Sequence, residues 1–295
     1  MKTDCKKLYP EFLVEVINEK IKSYLSEYLQ IPQILRKAIS YSIKNVGKRL
    51  RPVLCLTVAK SMGCDYETAL PAACALEYIH TYSLIHDDLP SIDNDDFRRG
   101  KLTCHKVFGE DIAILAGDAL FAEAYNVILK HQKSPENVII KLLKELTDAA
   151  GAGGMVAGQA VDVYYAGKKI SKANLKKMHY NKTAKLITAS VRCGAIIADA
   201  DDEKLNFLTE YAQNIGLAFQ ITDDLLDLES SGTAVKTAGK DILQKKNTFP
   251  SIYGVAASKK IAEDKIKKAI LTVKKMNIDS VWLENIARFI LCRKN

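Results

Sequence analysis

The sequence predicts an all-α fold: one domain, residues 1–295, built as a bundle of ten or more helices. Three observations carry that expectation. Long segments rich in alanine, leucine, isoleucine and lysine follow one another with apolar residues at helical spacing. Only seven prolines and fifteen glycines interrupt them, too few for an all-β or loop-rich chain. No useful alternating strand pattern, internal repeat, low-complexity tract or compositional shift marks a second domain.

Each element has its own signal. Residues 11–29 alternate apolar and charged residues at helical spacing, with Phe12, Val16, Ile17, Ile21, Leu25 and Tyr28 as the apolar set. Pro32 opens a second helix, 33–45, and Gly47 closes it. A buried third helix spans 50–62, with Pro52 in its first turn. Asp65 caps the fourth, whose apolar run 70–85 leads straight into an acidic stretch. Gly109-Glu110-Asp111 opens a fifth helix, 112–130. Pro135 starts a long segment toward 163, softened at Gly151, Gly153 and Gly154. Ser171 caps the next, to 200, and Asp201 the one after, 203–228. Residues 232–244 form a polar loop. Thr248-Phe249-Pro250 opens another helix, and two amphipathic segments finish the chain.

Hydrophobic residues make up 48% and charged residues 26%, the balance of a soluble globular protein with a substantial core. The net charge of +8 suits an anionic partner. Nucleic acid is disfavoured, because the cations are dispersed and no RNA-binding aromatic signature appears. Seven cysteines stand singly, with no zinc-like spacing, which predicts free core thiols, no disulfide frame and a reducing compartment. The N-terminus shows no secretory h-region. The longest apolar run, 112–129, is broken by Asp118 and Glu123 and predicts no membrane span. The expected address is the cytoplasm.

Two acidic clusters suggest the chemistry. Residues 87–99 hold five aspartates and the adjacent Arg98 and Arg99 in thirteen residues. Clustered carboxylates suit Mg²⁺, which binds few protein oxygens and shares the rest with substrate phosphates and water. Arginine adds planar forks for phosphate oxygens. Asp87 and Asp93 are six residues apart, about 120° around a straight helix, so their convergence predicts a distortion at Pro90. His80 lies two turns before Asp87 on the same face. The second cluster, Asp223, Asp224 and Asp227, puts Asp223 and Asp227 one turn apart, with Gln220 on the same side. Such stacked carboxylates repel unless a cation or water intervenes. Lys48, Arg49 and Arg51 gather cations at a helix start, where free N–H groups also attract anions. Lys182 and Thr183 interrupt an apolar helix, and Gly239-Lys240-Asp241 lies in the polar loop.

In order, GKRLRP, HDDLPSIDNDDFRRG, NKTAKLI, FQITDDLLD and GKD resemble the motifs of the short-chain trans-isoprenyl diphosphate synthase family, over residues 48–250. The resemblance implies helices around a deep central cavity, with the two aspartate clusters facing across its mouth and holding three Mg²⁺ on an allylic diphosphate. Asp87, Asp93 and Asp223 are then the direct ligands, and Asp88 and Asp227 complete the clusters. Arg98 would grip the allylic diphosphate, while Lys48, Arg51, His80 and Arg99 hold isopentenyl diphosphate. Lys182, Thr183, Gln220 and Lys240 would contact the allylic substrate. The implied reaction ionises the allylic C–O bond, lets the isopentenyl double bond attack the cation, and ends with loss of a proton. Closure of 232–244 would exclude water.

Tyr82 and Ser83 occupy the positions that the family uses as a chain-length floor. A bulky tyrosine there resembles the bacterial farnesyl branch and implies a C15 product, while the plant-like wording DNDDFRRG, HKVFGED and KTAGKD keeps C20 open. The family is commonly homodimeric, and 112–129 could supply the interface helix. A terpene cyclase would lack the second aspartate cluster and need no isopentenyl site. A non-catalytic partner subunit would usually have lost aspartates that this chain keeps.

Overall fold

The computed structural model describes residues 5–27, 30–45, 47–230 and 246–293. A 3₁₀ turn (Cys5–Leu8) leads into α1 (Glu11–Ser26), α2 (Gln33–Lys44), α3 (Leu50–Ser61) and α4 (Tyr66–Asp87). A hairpin of two-residue strands, β1 (Phe97–Arg98) and β2 (Lys101–Leu102), precedes α5 (Cys104–Phe108), α6 (Glu110–His131) and α7 (Glu136–Ala150). Then come α8 (Met155–Tyr165), α9 (Lys172–His179), a π turn (Tyr180–Ala184), α10 (Lys185–Ile197) and α11 (Asp202–Ser230). The described chain closes with α12 (Phe249–Tyr253), α13 (Val255–Lys274) and α14 (Val281–Cys292).

The fold is all-α, and its centre is α3 and α4. Every residue from Leu50 to Ala59 is buried, so α3 is apolar all round and needs neighbours on every side. It packs on α4 and α10, while α4 packs on α6 and α11 on α13. Leu54, Leu56 and Leu76 have no exposure, and each contributes roughly 2 kcal/mol of transfer free energy. Tyr211 is also buried completely and satisfies its hydroxyl by donating to the Leu283 carbonyl at 2.7 Å, tying α11 to α14.

The caps stand where the sequence places them. Asp65 accepts from Glu67 N at 3.1 Å, Ser171 from Asn174 N at 3.2 Å, and Asp201 from Lys204 N at 2.7 Å. Thr248 forms a reciprocal capping box with Ser251. The segment 135–163 breaks at the glycines into α7 and α8, as expected. The segment 171–200 stays helical from Lys172 to Ile197, with one widened π turn at Tyr180–Ala184. The β1–β2 hairpin was not expected, since two-residue strands leave no alternation to read.

One expectation needs correction. Cys5 and Cys292 form a disulfide across 287 residues, which the absence of close cysteine spacings had argued against. The fold brings the first turn and the last helix together: Tyr9 packs on Phe289 with ring centroids 4.5 Å apart. The other five cysteines are free, four of them buried. By length and composition alone α6 is apolar enough to cross a bilayer, a test that a core helix also passes. In the fold, Ala113, Ala116, Gly117, Leu120, Ala124, Val127 and Ile128 form a buried stripe along it. Ile114, Leu115 and Leu129 on its other side are exposed.

Candidate active site

The acidic stretch converges because the helix ends just before Pro90, a break between Asp87 and Asp93 of the kind expected there. α4 stops at Asp87, with Asp88 as its C-cap. The chain then curls back: Asp93 N donates to Asp87 O at 2.8 Å, Asn94 N to Leu89 O at 3.0 Å and Asp95 N to Asp88 O at 3.0 Å. Asn94 takes the left-handed conformation (φ 49°) that asparagine tolerates. This fold-back brings Asp93 over the end of α4 beside Asp87. Burial pushes the Asp87 carboxyl up to about 6, and the charge of Asp93 adds to it against the pull of Lys182. Such an acid sits where a cation would lower its free energy, so hard carboxylate oxygens here fit Mg²⁺. Among the described residues, no three acidic, histidine or cysteine groups form a cage by themselves.

The remaining aspartates divide by partner. Asp88 is 3% exposed and accepts from Arg98 Nε at 2.8 and 2.9 Å and from Arg98 Nη2 at 2.6 Å, so it anchors Arg98. Asp93 accepts from Lys246 at 2.9 Å. Asp223 Oδ1 accepts from Arg293, at 2.5 Å, and that guanidinium also lies 4.0 Å over the Phe219 ring. Asp227 is half-buried one turn further along α11.

Lys182 and Thr183 are aimed by the π turn, whose widened backbone re-directs side chains out of an otherwise regular helix. Two glycines let it sit between α8 and α11. A Cβ on Gly158 would strike the Lys182 backbone, and one on Gly216 would strike Ala184 at 2.8 Å. Lys182 Nζ donates to Asp162 at 2.6 Å. Burial opposes its charge, but Asp162, Asp87 and Asp93 together raise its pKa. Thr183 Oγ1 donates to Gln220 Oε1 at 2.5 Å. Asp87, Asp93, Asp162, Lys182 and Lys246 thus form one electrostatic cluster.

A second cluster is cationic. Arg51 is buried and lowered to about 10, so it remains charged at neutral pH. Lys48 is lowered by burial and by Arg293, with Arg99 adding. Arg99 Nη1 donates to the Asn45 carbonyl at 2.8 Å. Burial, then Arg51, Arg99, Arg98 and Arg49, push His80 well below its usual value, leaving a neutral imidazole among cations. Arg49 does not join its neighbours. It turns inward in the left-handed conformation (φ 51°) and pairs with Glu77 at 2.6 Å, both side chains 2% exposed. Its other nitrogens donate to Asn18 at 3.0 Å and the Ile43 carbonyl at 2.6 Å.

Tyr82 is 8% exposed and meets Phe121 and His86 edge to face at 5.0 and 5.8 Å; Phe121 in turn meets Tyr125 at 5.3 Å. Ser83 donates to the His80 carbonyl at 2.9 Å. Lys240 and the segment 232–244 lie outside the described residues.

A profile of the polyprenyl synthetase family matches residues 32–282. The chain belongs to the polyprenyl synthetase family. It is accordingly a prenyltransferase that elongates prenyl chains. It is 42% identical over 288 residues to a farnesyl diphosphate synthase of Geobacillus stearothermophilus, covering 95% of this chain and 97% of the relative. It is 44% identical over 267 residues to a geranylgeranyl diphosphate synthase of Cyanophora paradoxa, covering 90% and 89%. Among solved structures, an apo FPP/GFPP synthase from Zymomonas mobilis superposes with a TM-score of 0.85 at 33% identity, covering 98% of this chain and all of that one.

Asp162, Lys246 and Arg293 escaped the sequence reading. Asp162 had a signal, a lone acid in the apolar stretch Met155–Tyr165. Lys246 and Arg293 had none, since their partners lie 153 and 70 residues away.

Proposed function

We infer that this chain is a Mg²⁺-dependent farnesyl diphosphate synthase that condenses isopentenyl diphosphate head to tail with dimethylallyl and geranyl diphosphates. The observation that carries the reading is the pair of charged clusters of opposite design. One gathers the carboxylates of Asp87 and Asp93 with Lys182 and Lys246; the other gathers Lys48, Arg51, Arg99 and a neutral His80. The first suits a metal-bound allylic diphosphate and the second a diphosphate held by cations alone. Asp87, Asp93 and Asp223 would hold up to three Mg²⁺, with Asp227 completing the set. When bound, Mg²⁺ supplies Lewis acidity to the departing diphosphate oxygens.

The chain's own groups do the rest. Arg98, held by Asp88, and Lys182, held by Asp162, meet the leaving diphosphate as its charge grows. Arg51, Lys48, Arg99 and His80 orient isopentenyl diphosphate, and Lys240, by its sequence motif alone, is assigned to the allylic substrate. The Thr183 hydroxyl, the Gln220 amide oxygen and the Lys182 backbone carbonyl offer negative dipoles to the allylic cation without a nucleophile that would quench it. The released diphosphate takes the proton.

Tyr82 closes the tail end of the site and supports a C15 product, with Ser83 beside it on α4. The 44% identity to a geranylgeranyl synthase supports C20 as the second reading. The exposed Ile114, Leu115 and Leu129 on α6 favour a homodimer through that helix. Five unpaired thiols favour the cytoplasm, where the Cys5–Cys292 bond would be open to thiol–disulfide exchange. Calorimetric titration with inorganic diphosphate tests the site. One binding event should require Mg²⁺ and disappear in Asp93→Ala, while the cation-only site binds diphosphate in EDTA and in the variant alike. A titration unchanged by EDTA would overturn the metal assignment.

A further inference from the structure

The second aspartate cluster contains a residue whose geometry differs from its neighbours. Asp224 is 4% exposed. Its Oδ2 accepts from the Phe249 backbone N at 2.8 Å, and its Oδ1 accepts from Gln220 Nε2 at 2.8 Å. Gln220 Oε1 in turn accepts from Thr183 Oγ1. His179, pushed down to about 4 chiefly by burial, lies with Nε2 3.6 Å from Asp224 and is neutral at working pH. The result is a directed chain from the α12 backbone through Asp224 and Gln220 to Thr183.

We propose that Asp224 is a positioning residue that fixes the polarity of the Gln220 amide and, through it, turns the Thr183 oxygen lone pairs toward the allylic cation. The argument follows from donor inventories. Asp224 Oδ2 is taken by the Phe249 N–H and its Oδ1 accepts from the Gln220 amide, so the amide end that faces Asp224 is the NH₂. The other end is then the carbonyl oxygen, which also only accepts, so the Thr183 O–H must donate to it. With its proton so committed, Thr183 presents lone pairs to the site. The Gln220 orientation, often ambiguous by shape alone, is here dictated by chemistry. The inference rests on the synthase reading of the site and deepens it.

Asp224→Asn reverses the chain with almost no change of shape. The buried Phe249 N–H needs an acceptor, so the new amide keeps its oxygen there and turns its NH₂ toward Gln220. Gln220 must flip to accept, which presents its own NH₂ to Thr183. Thr183 then accepts and points its O–H dipole, positive end first, at the cation. Replacing Gln220 with glutamate in the same chain, Gln220→Glu with Asp224→Asn, restores an acceptor toward Thr183 and leaves the total charge unchanged.

The test is steady-state kinetics on wild type, Asp224→Asn, the Gln220→Glu/Asp224→Asn double variant, Gln220→Ala and Thr183→Val, with thermal midpoints and Mg²⁺ half-saturation measured alongside. Asp224→Asn should lose kcat by on the order of 10- to 100-fold, with KM for isopentenyl diphosphate and Mg²⁺ half-saturation within about threefold of wild type. The double variant should recover about tenfold of that loss, and Asp224→Asn should cost much less in a Thr183→Val background. Wild-type kcat in Asp224→Asn overturns the proposal, as does a loss that raised Mg²⁺ restores, or a double variant no better than the single one. If Gln220→Ala and Thr183→Val both turn over like wild type, the underlying site assignment fails instead.

Discussion

Asp87→Asn should stabilise the ligand-free protein while abolishing turnover. Burial and Asp93 raise the Asp87 carboxyl from 3.8 to about 6. A raised carboxyl pKa means that the folded state holds the proton more tightly than the unfolded chain, so stability is lost as pH climbs from about 4 through about 6. The full shift is worth about 3 kcal/mol at pH 7.5. The carboxylate keeps a partly open face, and with solvent screening we expect about 1–2 kcal/mol. The variant's thermal midpoint at pH 7.5 should therefore exceed wild type by about 2–5 °C. The gap should narrow as pH falls toward 4 and close below about 3, where both states hold the proton. Mg²⁺ with diphosphate should raise the wild-type midpoint and leave the variant nearly unmoved. An Asn variant no more stable than wild type at pH 7.5 would refute the claim that this acid is held at a cost for the sake of the metal.

Tyr82→Ala removes the ring packed on Phe121 and should shift the main product from C15 to C20, resolved by chromatography of the dephosphorylated alcohols; an unchanged C15 product would place the floor elsewhere. Glu77→Ala strands the Arg49 charge in a pair that is 2% exposed on both sides, and should destabilise the protein by about 3–5 kcal/mol. Urea unfolding measures this, and a loss below about 1 kcal/mol would mean the guanidinium finds other support. Opening the Cys5–Cys292 disulfide with a dithiol should lower the thermal midpoint by about 5 °C, taking about 2–4 kcal/mol for a long closed loop. Cys292→Ser should match the reduced protein and ignore the reductant; a midpoint unmoved by both would show that the termini are held by packing alone.

Local chemistry was legible, and long-range partnership was not. Asp65, Ser171, Asp201 and Thr248 announce helix starts because a cap acts within three residues, and all four carry out that role. Asp223 and Asp227 could be put on one face because α11 is continuous through them. Asp88 belongs with Arg98, ten residues on, because the helix ends and the chain turns back, which spacing on an ideal helix does not foresee. Arg49 looks like its neighbours Lys48 and Arg51 until Glu77, 28 residues away, draws it into the core. Asp224 reads as one more carboxylate in a cluster. Its burial against Phe249 and its grip on Gln220 depend on how α11 meets α12. The two cysteines at the ends of the chain carry no local signal at all.

The most direct measurement is a product assay. Purified protein receives Mg²⁺, labelled isopentenyl diphosphate and, separately, C5, C10 and C15 allylic diphosphates, and the products are resolved by length. The account predicts that C5 and C10 starters are carried to C15 and that the C15 starter is not extended. Failure to condense any starter, with the fold intact and Mg²⁺ present, would contradict it.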